Sequence, residues 1–62
     1  MTNDDIIRMV RAGFSEDLIL AAMLLQPAQF DRSVKALLEL DRAGASDHVL
    51  TAVLDLDEIP RA

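Results

Sequence analysis

Residues 11–17 read RAGFSED, and residues 42–48 read RAGASDH, 31 positions further along the chain. In both stretches a glycine is followed two residues later by a serine, and the serine by an acid. Glycine readily takes the left-handed conformation that ends a helix, and serine is a favoured N-cap before an acidic first turn. Each stretch therefore predicts a tight turn between two helices.

The sequence around the two turns matches as well. A shift of 31 positions aligns residues 2–24 with residues 33–55, so that apolar Ile6 meets Leu37. Thr2 and Ser33 stand at equivalent places where a helix would begin. Such self-similarity indicates an internal repeat of two helical hairpins. We expect an all-α fold, a compact orthogonal bundle of four short helices near residues 3–12, 16–25, 34–43 and 47–56.

The segments outside these helices complete one small domain. Pro27 ends the second helix, and Phe30 in the linker QPAQFDR is predicted to fill the seam between the hairpins. We assign residues 1–56 to a single helical domain, with repeat units 2–25 and 33–56. Residues 57–62, DEIPRA, are predicted to form a flexible acidic tail, a linker in preference to a docking segment.

The composition restricts the classes of partner. The 62 residues carry a net charge of −5 and no cysteine, and the six bases are dispersed along the chain. Such a chain repels the phosphates of nucleic acids and anionic membrane surfaces. The apolar run Leu18–Leu25 is much shorter than the roughly 20 residues that span a bilayer. We expect a soluble, cytoplasmic protein that binds neither nucleic acid nor membrane.

An amphipathic helix needs apolar residues on one side only, whereas this run of eight places apolar residues on every side of the helix. The repeat alignment places Leu20 opposite Thr51 and Leu24 opposite Asp55. If the hairpins pack as equivalents, Leu20 and Leu24 point outward and form an apolar patch. The alternative is a second helix enclosed at the centre of the bundle. Four further residues of the run have apolar counterparts and are expected to be buried: Leu18, Ile19, Ala22 and Met23.

Residues for catalysis or metal binding are scarce. His48 is the only histidine and is expected on the surface, and the two glycines are isolated helix stops instead of a phosphate-binding loop. We therefore expect no enzyme activity, no cofactor, no metal ion and no small-molecule substrate.

Two stretches resemble known binding domains. DRAGASDHVLTAVL, residues 41–54, resembles the turn of bacterial helix-turn-helix repressors, which implies nucleic-acid binding. Its second helix offers Asp47 and His48 where that family presents polar and basic side chains. GFS, residues 13–15, with the apolar spacing of residues 6–38, resembles ubiquitin-associated domains, which implies ubiquitin binding. Ala12 replaces the usual loop methionine.

A third resemblance spans nearly the whole chain. The matching stretches are TNDD at residues 2–5, AG and SEDLI within 12–19, FD at 30–31, and AG and SD within 43–47. In these the chain resembles a small helical module of bacterial proteins with the pattern TNDDVIxLVKAGLSEDLI, then FD, then AGVSD. The resemblance implies the fold of an accessory domain and no particular activity.

The leading hypothesis is a non-catalytic protein-interaction module. It self-associates as a homodimer or docks a partner helix through the second helix, with Leu20, Leu24 and Leu25 as apolar contacts. Glu16 and Asp17 would form the polar rim. The alternatives are a helix-turn-helix-like nucleic-acid-binding protein, a ubiquitin-associated-like binding domain and a structural appendage without a partner.

Overall fold

Four α-helices make up the fold in a computed structural model, which describes residues 1–56 and contains no strand within them. The helices are α1 (Asn3–Arg11), α2 (Glu16–Leu25), α3 (Val34–Ala43) and α4 (Asp47–Asp55). The all-α prediction is confirmed, and each helix lies within one residue of its predicted bounds. The predicted acidic tail, residues 57–62, lies outside the described residues.

The helices begin at the predicted caps. The hydroxyls of Ser15, Ser33 and Ser46 each accept the backbone N–H three residues further on, at 3.2, 3.2 and 3.3 Å. At the start of α1, the Asp5 carboxylate accepts the backbone N–H of Thr2 at 2.9 Å. These bonds pair N–H groups that have no partner inside a helix. Local chemistry therefore sets where each helix starts.

Both glycine turns close with the same hydrogen-bond pattern. In the first, the N–H groups of Phe14 and Gly13 donate to the carbonyls of Met9 and Val10, each at 3.1 Å. The second turn has the equivalent bonds at 3.0 Å, and the two glycines have φ of +87° and +108°. This is the Schellman arrangement, in which a left-handed residue reverses the chain after a helix.

The helices form two hairpins stacked side by side. Helix α1 packs on α3 and α2 on α4, and within residues 1–56 the diagonal pairs do not approach each other. Helices α2 and α4 run in the same direction, because Glu16 meets His48 at their starts and Leu24 shares a groove with Leu56 at their ends. The predicted orthogonal packing stays a prediction.

The core between the hairpins is aliphatic. Phe30 from the linker is half-buried and packs against it. Since the only aromatic side chain at the core lies at its edge, stability depends on the fit of branched and thioether side chains. The core consists of Ile6, Ile19, Met23, Leu40, Ala45, Val49 and Val53.

The buried positions do not follow the alignment of the turns. Ile19 of α2 stands four residues after its cap, Ser15, whereas Val49 of α4 stands three residues after Ser46. The next buried residue of each helix follows four positions later, so the two buried faces are related by a shift of 30 positions instead of 31. One residue turns a helical face by about 100°. The expectation that the hairpins bury equivalent positions is therefore wrong.

Hydrogen bonds from the first residues hold the linker in place. The Asn3 side chain both donates to the Asp31 carbonyl, at 2.9 Å, and accepts the Asp31 N–H, at 2.8 Å. The Met1 ammonium donates to the Pro27 carbonyl at 2.7 Å, and the Gln29 N–H donates to the Met1 carbonyl at 2.9 Å. These bonds fix the connection between the hairpins against the start of α1.

Candidate protein-interaction surface

The structure divides the predicted contact residues between two faces of α2. Leu20 is half-buried against the core, whereas Leu24 is 72 % exposed and Leu25 is 83 % exposed. The expectation that Leu20 points outward with Leu24 needs correction, because the buried face of α2 is rotated and Leu20 lies at its edge. The opposite alternative, an enclosed α2, does not hold either, since three leucines of α2 are exposed.

A groove runs between α2 and α4 toward their carboxyl ends. Leu20, Leu24, Ala52, Asp55 and Leu56 line it and enclose about 280 Å³. At Leu24 and Leu56 it adjoins a depression of about 450 Å³, which is also lined by Met23 and residues 26–29. We call the cavity of about 280 Å³ the α2–α4 groove. Its floor is apolar, and an acid, Asp55, stands at its edge.

The other end of the same helix pair is polar. His48 Nδ1 lies 3.1 Å from Glu16 Oε2, and His48 is exposed, as predicted. A hydrogen bond with the Ser46 side chain, supported by the neighbouring His48, holds the pKa of Glu16 below its usual 4.5. Asp17 is exposed one residue further along α2. Glu16 thus ties the starts of α2 and α4 together.

Acid should weaken this tie. Because folding lowers the pKa of Glu16, its stabilising contribution is complete above pH 4.5 and disappears as the pH falls through the lowered value. We expect Glu16→Gln to lower the urea midpoint at neutral pH. At about pH 2 its midpoint should equal that of the wild type, because the protonated Glu16 and the glutamine are both uncharged. Asp17→Asn removes a charge from the same turn as a control. An equal deficit of Glu16→Gln at both pH values would contradict this role.

The charges of residues 1–56 are unevenly distributed among the helices. Helices α2 and α4 carry four acids and neither lysine nor arginine. The bases lie on α1, on α3 and in the linker. Of the four acids on these helices, Asp55 lines the groove, and the other three lie in the first turns of α2 and α4, at the opposite end of the helix pair. The four acids are Glu16, Asp17, Asp47 and Asp55, and the bases are Arg8, Arg11, Arg32, Lys35 and Arg42.

The second face of α2 lies away from α4 and carries Leu18 and Leu25. The repeat alignment predicts Leu18 to be buried, like its counterpart Val49, yet Leu18 is 51 % exposed while Val49 is buried. This expectation is wrong for the same reason as that for Leu20. Because the buried face of α2 is shifted by one residue relative to that of α4, different positions of the two helices face the core.

Two groove residues lie outside the predicted site. Ala52 and Leu56 supply the α4 side of the α2–α4 groove. The available signal was an alanine within α4, whose small side chain leaves room beside a neighbouring helix, followed one turn later by an apolar residue at the helix end. The repeat alignment does not single out Ala52 or Leu56, because their counterparts, Ala21 and Leu25, are apolar as well.

Within residues 1–56, no three histidine, aspartate or glutamate side chains come close enough to hold a metal ion. No helix in this part of the chain is long and apolar enough to cross a membrane.

Comparisons with models of protein families, with curated proteins and with solved structures find no match to this chain. The resemblances to repressors, to ubiquitin-associated domains and to the bacterial module therefore stay predictions from sequence motifs. The α2–α4 groove and the charges around it carry the functional interpretation.

Proposed function

We propose that the chain is a non-catalytic protein-interaction module that docks an amphipathic helix of a partner protein in the α2–α4 groove. The partner helix presents large apolar side chains on one face and lysine or arginine at the border of that face. The observation that carries the proposal is the combination of an exposed leucine, Leu24, at an apolar groove with acids and no base on either helix. The proposed setting is the cytoplasm.

The apolar part of the groove supports a helical ligand. Leu24 is exposed at its mouth, and Leu20, Ala52 and Leu56 lie beneath and beside it. A helix that lays an apolar face into such a groove buries side chains spaced one turn apart. Full burial of a leucine side chain contributes about 1.5–3 kcal/mol, so a few such contacts give useful affinity. Leu24 is the central contact in this arrangement.

The charge around the groove favours a basic partner over a second copy of the chain at this place. Two copies that meet groove to groove would bring together two helix pairs that each carry four acids and neither lysine nor arginine, with Asp55 at the groove itself, and like charges across an interface disfavour association. A helix with basic borders meets the same acids with the opposite sign. The acids also repel phosphate, which argues against nucleic acid on this face.

A peptide titration tests the proposal. The probes are a helical leucine/lysine peptide and a leucine/glutamate peptide with the same leucine spacing. We expect the lysine peptide to shift the NMR amide signals of Leu20, Leu24, Ala52 and Leu56, and the glutamate peptide to bind at least tenfold more weakly. Leu24→Asn should weaken lysine-peptide binding tenfold or more without a change in charge.

The matched control is Val34→Asn on α3. Val34 is 73 % exposed, so the two substitutions remove an equally accessible apolar side chain, but Val34 lies outside the groove. We expect Val34→Asn to bind the lysine peptide like the wild type. Equal binding by Leu24→Asn and the wild type, or signal shifts confined to α1 and α3, would overturn the proposal.

A further inference from the structure

The stack of two hairpins has two open sides. On α2, Leu20 and Leu24 face α4, so Leu18 and Leu25 lie on the opposite side of the helix, away from the second hairpin. On α4, Ala52 and Asp55 face α2, and Leu54 lies on the opposite side. We call these the first-hairpin end and the second-hairpin end. In stacked repeat proteins the terminal faces are polar, which stops further stacking.

Both ends of this stack are apolar. Leu25 and Leu18 are exposed at the first-hairpin end, and Leu54 is 49 % exposed at the second-hairpin end. Next to them, Ala22 and Leu50 are half-buried and uncharged. On α2 the first-hairpin end therefore has no charged cover, and on α4 the second-hairpin end has a single acid, exposed Asp47, one turn before Leu50.

The contact inside the chain shows how the two ends fit each other. Leu20 of the first hairpin lies beside Ala52 of the second. A shift of 30 positions relates the buried faces of the two hairpins, and the same shift converts Leu20 into Leu50 and Ala52 into Ala22. Leu50 belongs to the second-hairpin end and Ala22 to the first-hairpin end. The two ends thus carry the same leucine and alanine pair as the internal contact.

A second pair extends this match. Within the chain Leu24 lies beside Asp55, and the shift of 30 positions converts these residues into Leu54 and Leu25. The contact between two ends would therefore join leucine to leucine where the internal contact joins leucine to aspartate. It is more apolar than the contact that already holds the hairpins together, and it places no like charges opposite each other at these positions.

We propose that a second copy of this chain covers these ends. The second-hairpin end of one copy stacks on the first-hairpin end of the next, which continues the arrangement that joins the hairpins within the chain. Because the two surfaces differ, the contact is head-to-tail and leaves one free first-hairpin end and one free second-hairpin end on each assembly, so assemblies lengthen with concentration. Leu24 and the α2–α4 groove are not part of this contact, which is independent of the proposed function.

Two blocking variants test the arrangement by sedimentation and light scattering. Leu25→Glu blocks the first-hairpin end and Leu54→Glu blocks the second-hairpin end, and both side chains are exposed enough for the fold to tolerate the change. We expect the wild type to gain mass with concentration and each variant to stay monomeric. An equimolar mixture should form a dimer with one chain of each kind and nothing larger. Each variant keeps one end that is not blocked, and these two ends can bind each other.

Circular dichroism confirms that each variant is folded, and Leu54→Gln replaces Leu54→Glu if the charge unfolds the chain. Leu24→Asn should associate like the wild type, which separates this contact from the groove. A monomeric wild type at about millimolar concentration would overturn the proposal. So would a mixture that stays monomeric while the wild type associates, or a Leu25→Glu variant that still forms dimers alone.

Discussion

Leu40→Ala is expected to leave the chain largely unfolded at room temperature. Leu40 is fully buried in the core between the hairpins. Removal of a buried leucine side chain costs about 2–5 kcal/mol, because the transfer free energy is lost and a cavity remains. A domain of this size rarely has more than about 3–5 kcal/mol of stability from its core. The loss therefore approaches the whole free energy of unfolding.

The same substitution at Leu38 provides the control. Leu38 lies on the same helix but is about half exposed, so Leu38→Ala removes a side chain that remains partly in water. Urea titrations followed by helical circular dichroism should give Leu38→Ala a midpoint near that of the wild type and Leu40→Ala little or no folded baseline. Similar midpoints for the two variants would show that Leu40 is not a core residue.

Gly44→Ala is expected to destabilise the fold more than Gly13→Ala. Both glycines have positive φ, which costs an alanine about 1–2 kcal/mol. A Cβ atom at Gly44 would also lie 3.2 Å from Val10 Cγ1, whereas a Cβ atom at Gly13 would have no neighbour within 4 Å. The two turns are otherwise alike in their hydrogen bonds. The difference between the variants thus reports the close approach of α1 to the second turn.

Thermal melts measure this difference. In a domain of this size a loss of about 1 kcal/mol lowers the melting temperature by roughly 4–8 °C. We expect Gly44→Ala to melt below Gly13→Ala, and the added substitution Val10→Ala to remove the extra loss at Gly44 once its own cost is subtracted in a double-mutant cycle. Equal melting temperatures for the two glycine variants would show that backbone conformation alone accounts for the loss of stability.

The helices could be predicted because their ends depend on local chemistry. Ser15, Ser33 and Ser46 each accept an N–H three residues away, and each glycine turn closes within six residues. Such interactions need no knowledge of the rest of the chain. They explain why the repeat alignment, which is anchored on the turns, places all four helices correctly.

The face that each helix buries depends on distant contacts, and here the alignment failed. Within α2 both Leu18 and Leu20 are leucines in a continuous apolar run, so no polar neighbour marks either one as the exposed residue. The packing of the second hairpin decides between them and leaves Leu18 exposed. A helix that is apolar on all sides gives no periodic signal from which this choice could be read.

The candidate site was therefore predicted in part. Leu24 and Leu25 are exposed as expected, although Asp55, which suggested an outward Leu24, is not its counterpart in the fold, where the shift of 30 positions pairs Leu24 with exposed Leu54. Ala52 and Leu56 were missed, since a groove is formed by two helices and neither of them shows it alone. The assignment of Leu24 and Leu25 to different surfaces likewise required the rotation of α2 in the fold.

The absence of lysine and arginine from α2 and α4 has a kinetic consequence. Charges of one sign on a surface attract an oppositely charged partner from a distance and can raise association rate constants 10- to 1,000-fold, an advantage that salt removes. Leu24 contributes only once the partner is in contact, so its removal acts mainly on the dissociation rate. The acids would thus determine how often a basic helix reaches the groove, and Leu24 how long it remains bound.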